Sequence, residues 1–462
     1  METDPHGPHD AASDATPLGR FRTGFYRCLT RWADATFELC DAALCAPAPV
    51  ASVPVLSLEP IFRRSHGSLY KALARGGVDA KAMRDLLAEH RPPDWPLVFA
   101  VDASTWARCD AETSPERGFY YSASKHSAGK PIVAGWSYSW ITQLDWANNS
   151  WTAPVDAARI PPTCDTTTAT IQQVARLVER LPDDGQVPMF VFDAGSDPIA
   201  IGAALTDTRA QVLVRIRGDR VFYTDPDQRA AGTVGRPRRH GTRFALSDTA
   251  SAPVPTAELS VQDKRHGKVH ASSWTGLHPK LGRRGHWADH DIPPIVAGTV
   301  IRVDVEHLPK PNASPLKTLW LWWSGPGEPD LDLCWRAYLR RSDIEHTFRF
   351  VKSTLGWTTP ALQTPEQADR WTWLVVAAYT QLRLARGLVD DQRLPWERPR
   401  DPAKLTPARV RRGFRRLRPT LGTPASAPKS DTPGPGRPKN TAAHPESATQ
   451  QSRKPHDTWT KV

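Results

Sequence analysis

The spacing of apolar residues changes period several times along the chain. Over residues 18–45, Phe21, Phe25, Leu29, Trp32 and Cys40 recur at helical spacing and predict one helix, stopped by the proline-rich APAPVASVPV that follows. Two shorter amphipathic segments, IFRRSHGSLYKALARGG and VDAKAMRDLLAEH, meet at Gly76-Gly77, with Arg63, Arg64, Lys71 and Arg75 on the first. They read either as a helix-turn-helix that touches DNA or as a helical collar on the next domain. From residue 95 the pattern is that of strands. WPLVFAVDAS is an apolar run ending in Asp102, and GFYYSASKH and PIVAGWSYSWITQL alternate as a following pair would. An amphipathic helix at 168–181 comes next, then the apolar strand VPMFVFDAGS ending in Asp193, the short helix DPIAIGAAL and the strand AQVLVRI. The predicted order is a mixed α/β sheet with both aspartates at strand ends, where open α/β sheets hold their ligands.

Residues 218–335 interrupt this order. They are rich in Gly, Pro, Arg and His, carry the strands GTVIRVDVEHL and PLKTLWLWWSG, and read as a β-rich insertion without a long helix. AYLRRSDIEHTFRFVKSTLGW, residues 337–357, follows. On one continuous helix Tyr338, Arg341, Glu345 and Lys352 fall at about 0°, 300°, 340° and 320°, a single polar stripe. Ile344, Phe348, Val351 and Leu355 form an apolar seam beside it, and Asp343 points away, into solvent. A long apolar helix is predicted over 365–389. The expected organisation is a disordered start (1–17), an N-terminal helical DNA-binding region (18–93), a catalytic core in two parts (94–217 and 336–395) around the insertion (218–335), a basic segment (396–420) and a disordered tail (421–462).

Composition narrows the partners. The 462 residues include 60 Lys and Arg against 49 Asp and Glu, a net charge of +11 that favours a polyanion such as nucleic acid. Arg411, Arg412, Arg415 and Arg416, with Arg409 and Arg418, form a basic cluster that reads as phosphate contact or as solvated surface. Gly436-Arg437-Pro438 in the tail resembles the core of a minor-groove hook, with Arg437 as the inserted side chain. The six cysteines show neither CxxC pairs nor zinc spacing and read as reduced cytosolic thiols. No apolar run approaches the ~18 residues of a membrane span, so a cytoplasmic protein is expected.

The acidic residues suggest a chemistry. Cleaving a phosphodiester accumulates negative charge, which two divalent cations about 4 Å apart can absorb while they activate the attacking oxygen. Such ions need a few hard oxygen ligands. Asp102, Asp193 and Glu345 would bring three carboxylates from distant segments to one place, the arrangement of a ribonuclease-H-like nucleic-acid enzyme. Asp197, by contrast, stands where it would cap the following helix.

Tyr338-x2-Arg341-x3-Glu345-x6-Lys352 resembles, at every position and spacing, the Y-(2)-R-(3)-E-(6)-K signature of IS4-type DDE transposases, and the chain looks closest to the IS701-like bacterial branch. FAVDAS and FVFDAGSD resemble the family's first and second aspartate strands, although Pro198 stands where an aromatic residue is usual. The resemblance covers about residues 60–390. It implies a ribonuclease-H-like core in which Asp102, Asp193 and Glu345 bind two Mg²⁺ ions, with Mn²⁺ as the alternative, and Tyr338, Arg341 and Lys352 hold the backbone of the transposon end. It further implies cut-and-paste transposition of the protein's own insertion sequence, by hydrolysis and strand transfer at terminal inverted repeats. The implied partners are double-stranded DNA, as element ends and target, and a second copy in a synaptic homodimer near the bacterial nucleoid. Some relatives stack a flipped base on a tryptophan of the last insertion strand. Thr318 occupies the matching position here, which leaves Trp320, Trp322 and Trp323 as candidates for that role or as insertion packing. Two rivals are a nuclease with the same core but no strand transfer, and a catalytically dead DNA-binding derivative of an element.

Overall fold

A computed structural model describes residues 16–121, 132–147, 149–228, 234–248, 252–308 and 317–429. The chain begins with helix α1 (Pro17–Arg27), whose first turn is capped by the Thr16 hydroxyl, which accepts from the Gly19 amide. The single helix expected over 18–45 is in fact two. Strand β1 (Leu29–Arg31) leaves the helical path to pair with β2 (Gly77–Val78), and Trp32, at φ 53°, turns the chain into α2 (Ala33–Cys45). The amphipathic pair forms α3 (His66–Arg75) and α4 (Ala80–Glu89), separated by β2. Two of its arginines are engaged within the protein: Arg63 and Arg64 pair with Glu38, and Arg64 also with Asp34.

The central sheet uses β3 (Val98–Ala107), β4 (Gly118–Tyr121), β5 (Ile132–Leu144) and β6 (Thr152–Ile160), then α5 (Thr166–Val178), β7 (Met189–Phe192), α6 (Pro198–Ala204) and β8 (Gln211–Ile216). β6 and β3 flank β5 antiparallel, while β3, β7 and β8 run parallel. This is the mixed α/β, ribonuclease-H-like core that was expected. β6 has no clean sequence signal because Pro154, Asp156 and Arg159 interrupt it; Asp156 is buried there and paired with Arg84 at 2.8 Å. β3 runs five residues beyond Asp102, paired with β5 all the way, so Asp102 stands mid-strand and not at a strand end as predicted.

The β-rich stretch contributes β9 (Val221–Tyr223), β10 (Arg243–Ala245), β11 (Ala257–Asp263), β12 (Gly267–Leu277), β13 (Gly298–Val305) and β14 (Lys317–Ser324). β9 and β10 form a ribbon, whereas β11 to β14 make a meander whose last strand pairs antiparallel with β8. The insertion strands thereby extend the catalytic sheet to ten strands.

The remaining helices are α7 (Leu331–Arg340), α8 (Asp343–Ser353), α9 (Pro365–Leu384) and α10 (Pro407–Leu417). The helix expected across 337–357 is broken after Arg340. The Ile344 amide donates to the Arg341 carbonyl at 3.2 Å and the Glu345 amide to the Ser342 carbonyl at 3.1 Å, a tight 3₁₀ joint of the kind that marks functional hinges. Side chains of β3 alternate between two apolar layers. Val98, Ala100 and Trp106 pack into the main core with α1, α2 and α7 to α10, while Phe99 and Val101 pack under α5 and α6. Asp102 therefore faces the α7–α8 side. Residues up to Ser426 form one compact unit. Among the described residues no helix is long and apolar enough to cross a membrane.

Candidate active site

Strand register brings the two aspartates together. β3 and β7 pair in parallel over Val98–Met189, Phe99–Phe190 and Ala100–Val191. Carried two residues further, the same register sets Asp102 beside Asp193, and both point to the side occupied by α7 and α8. The strands stop pairing just before this point, which opens a fork with a carboxylate on each prong. Each aspartate is fixed by one oxygen. The Ala103 amide donates to Asp102 Oδ1 at 2.8 Å, and the Gly195 amide to Asp193 Oδ1 at 2.9 Å. Glycine suits position 195, since a Cβ there would stand 3.2 Å from that oxygen.

The signature residues close the fork from above. Arg341, in the joint between α7 and α8, places Nη1 3.2 Å from Asp102 Oδ2 and Nη2 3.7 Å from Asp193 Oδ2. Glu345, in the first turn of α8, is exposed but electrostatically near: its charge acts on both Asp102 and Lys352. Burial pushes the Asp102 carboxyl up to about 7; Arg341 opposes the shift, and Asp193 and Glu345 reinforce it. Lys352 sits with Nζ 5.6 Å from the Trp357 ring and 5.9 Å from the Phe348 ring. Burial lowers its pKa, against the pull of Glu345 and Asp102. Tyr338 is half-buried on α7 and packs on the main core. Arg341, Glu345 and Lys352 thus lie near the fork despite the break in the helix, whereas Tyr338 packs on the core.

Asp343 does not point to solvent as expected. It is 4% exposed and pairs with Arg340 at 2.7 Å, while Arg340 also donates to the carbonyls of Asp145 and Ala147. These contacts pin the α7–α8 joint to the end of β5. Beneath the fork lies a cavity of about 240 Å³ lined by Ser139, Thr166, Thr167, Thr170 and Ser196 as well as the two aspartates. The sequence reading missed these hydroxyls; Thr166 and Thr167 follow the Asp165 cap of α5, but nothing in the local pattern flags Ser139.

The other expected contacts are placed differently. Trp320, Trp322 and Trp323 are 7%, 0% and 3% exposed. Trp322 stacks on Phe222, Trp320 packs against Trp274 and Phe244, and Trp323 donates to Gln211, so as placed they fill the insertion and offer no open ring face. Arg411 is buried and donates to the carbonyls of Ala43 and Ala48; Arg412 pairs with Glu397 at 2.6 Å. Arg415 and Arg416 are exposed. Arg437 lies outside the described residues. Asp197 caps α6 as predicted, accepting from the Ile199 and Ala200 amides.

Among the described residues, no three His, Cys, Asp or Glu side chains stand close enough to enclose a metal ion as placed. The chemistry of the donor set nevertheless fits a hard divalent cation. Asp193 and Glu345 both raise the Asp102 carboxyl, no imidazole or thiol is among the three, and one organic cation already spans the two aspartates. A family model described as DDE superfamily endonuclease matches residues 24–280, more than half of the chain. That span contains Asp102 and Asp193 and stops before Glu345. No curated protein matches the chain.

Proposed function

The chain belongs to the DDE superfamily endonucleases, and from that premise we propose that it is the transposase of a bacterial insertion sequence of the IS4 type, IS701-like, which excises its element and joins it to target DNA. The observation that carries this reading is the convergence of the signature on the fork: Arg341 spans Asp102 and Asp193, and the charge of Glu345 acts on Asp102. Membership makes DNA the substrate and the chemistry metal-dependent phosphodiester cleavage. The assignment to the IS4 type rests on the spacing Tyr338-x2-Arg341-x3-Glu345-x6-Lys352, which lies beyond the matched span.

Asp102, Asp193 and Glu345 would hold the cations, two Mg²⁺ in our reading. When bound, these supply an activated attacking oxygen and a sink for charge on the leaving oxygen. Asp102 and Asp193 stay aimed because each has one oxygen tied to a backbone amide. Lys352, its ammonium partly desolvated against Trp357, presents a positive charge to a phosphate beside Glu345. Arg341 offers the planar pair of donors that matches a phosphate. Tyr338 lies one helical turn before Arg341 and would complete the grip on the backbone. Water attacks in the cutting step and a freed 3′-hydroxyl in the joining step, so one arrangement of side chains can serve both.

The test uses a plasmid carrying the gene with its flanking sequence, a target plasmid and Mg²⁺. Our reading expects ends cut at short inverted repeats and joined to the target, with both products absent for Asp193→Ala. Cutting without joining would reduce the protein to a nuclease, and cutting that persists in Asp193→Ala would remove the site assignment.

A further inference from the structure

The two aspartates have one committed oxygen and one available oxygen each. Oδ1 of Asp102 and Oδ1 of Asp193 accept from the Ala103 and Gly195 amides, and Oδ2 of each faces Arg341. A cation held by the oxygens that no backbone amide uses would take the same two Oδ2 atoms that the guanidinium now uses. Among the described residues, Arg341's guanidinium has no other hydrogen-bond or ion-pair partner. It is consequently free to leave if something else neutralises the carboxylates. The backbone beneath it need not follow, because Arg340 anchors the joint to Asp343, Asp145 and Ala147 from the opposite side.

We infer that Arg341 is an exchangeable counter-ion that couples metal loading to DNA binding: it neutralises Asp102 and Asp193 in the DNA-free protein and moves to a DNA phosphate when divalent cations take its place. The inference rests on the metal-site reading above and adds an order of events to it. In the DNA-free protein the Arg341 side chain is 13% exposed and that of Asp102 15%, so the pair is poorly solvated and its charges are strongly felt. A divalent cation must displace the guanidinium, which then lacks a partner unless a phosphate is at hand. DNA supplies that partner, and guanidinium and phosphate match in a bidentate geometry. Each ligand thus strengthens the other, and the factor must be the same in both directions. Before DNA arrives the protein keeps its carboxylates occupied by its own cation and has weak affinity for metal, so it does not arrive at DNA already charged for cutting.

The experiment measures Mn²⁺ binding to the full-length protein from the electron paramagnetic resonance of the free ion, with and without a duplex taken from the gene's flank. For the wild type, the duplex should tighten Mn²⁺ binding by about tenfold, within the usual range for coupled sites. Arg341→Gln should bind Mn²⁺ more tightly than wild type in the absence of DNA, by about the same factor, and should lose the response to DNA. Should Arg341→Gln fail to fold, Arg341→Lys carries the test, with tightening of intermediate size because one ammonium cannot span both carboxylates. An Arg341 variant that folds, binds Mn²⁺ no more tightly than wild type and still responds to DNA overturns the inference, while loss of binding in Asp193→Asn would leave the metal site itself standing. If Asp193→Asn binds Mn²⁺ like the wild type, both the site assignment and the inference fail.

Discussion

Two groups of cations in this protein resemble each other in sequence and differ in what holds them. Around the fork, Arg341 and Lys352 face an excess of carboxylates, and among the described residues the Arg341 guanidinium pairs only with Asp102 and Asp193. In and around α10, four of the arginines are consumed in building the protein, while Arg415 and Arg416 are exposed. Arg411 ties α10 to the end of α2, Arg409 pairs with Asp391 and Arg412 with Glu397, and Arg418 shares the fully buried Asp41 with Arg22. A basic run is a DNA footprint only where its charges are not already spent inside. The comparison implies that changes at the fork alter chemistry and spare the fold, whereas changes at the buried arginine sites do the reverse.

The largest effect should come from Glu345→Gln, which keeps shape and removes charge. Cleavage should fall by about three orders of magnitude, with DNA binding in a gel-shift assay and the melting temperature nearly unchanged. Asp41→Asn should act on the other side of the comparison, costing about 3 kcal/mol in urea unfolding because Arg22 and Arg418 lose a charged partner in a dry site. Burial alone would raise the Asp41 carboxyl, but Arg22 and Arg418 outweigh it and leave the pKa below its ordinary value. A lowered folded-state pKa gives stability that is present above the unfolded value of about 4 and is lost as pH falls through the folded value. Asp41→Asn should therefore show a smaller loss of stability on acidification than the wild type.

How much of this was readable beforehand follows from the same contrast. Apolar runs such as MFVF mark strands buried on both faces, so β7 and its terminal Asp193 were legible, as was the spacing of the signature. Asp102 was singled out but misplaced within its strand, because β3 continues through residues whose polarity suggested a loop and which are stabilised by pairing with β5. The break after Arg340 was illegible, since Arg341 and Ser342 are ordinary helical residues and the joint is imposed by Arg340 reaching the end of β5. That contact also buries Asp343, which local periodicity had assigned to solvent. The three tryptophans of β14 and Arg411 and Arg412 of α10 are engaged inside the protein for a common reason: residue type states what a side chain can bind, and tertiary packing decides what it meets.

Smaller effects sharpen the contrast further. Arg411→Ala should cost about 2 kcal/mol, since two carbonyls lose a charged donor, and should leave the salt dependence of DNA binding unchanged. Arg415→Ala with Arg416→Ala, both exposed, should change stability by less than about 0.5 kcal/mol. If these two touch phosphate, the slope of log affinity against log salt should fall by about one for each residue removed. An unchanged slope would assign them to solvated surface.

Whether Asp102, Asp193 and Glu345 form one divalent-metal site can be tested without knowing the DNA sequence recognised. Fe²⁺ substituted for the native ion, with ascorbate and peroxide, generates hydroxyl radicals that cut the polypeptide next to wherever the metal sits. Backbone cuts should cluster near residues 102, 193 and 341–345, be suppressed by excess Mg²⁺ and be absent in Asp193→Ala. Cuts elsewhere in the chain, or the same cuts in Asp193→Ala, would contradict that site.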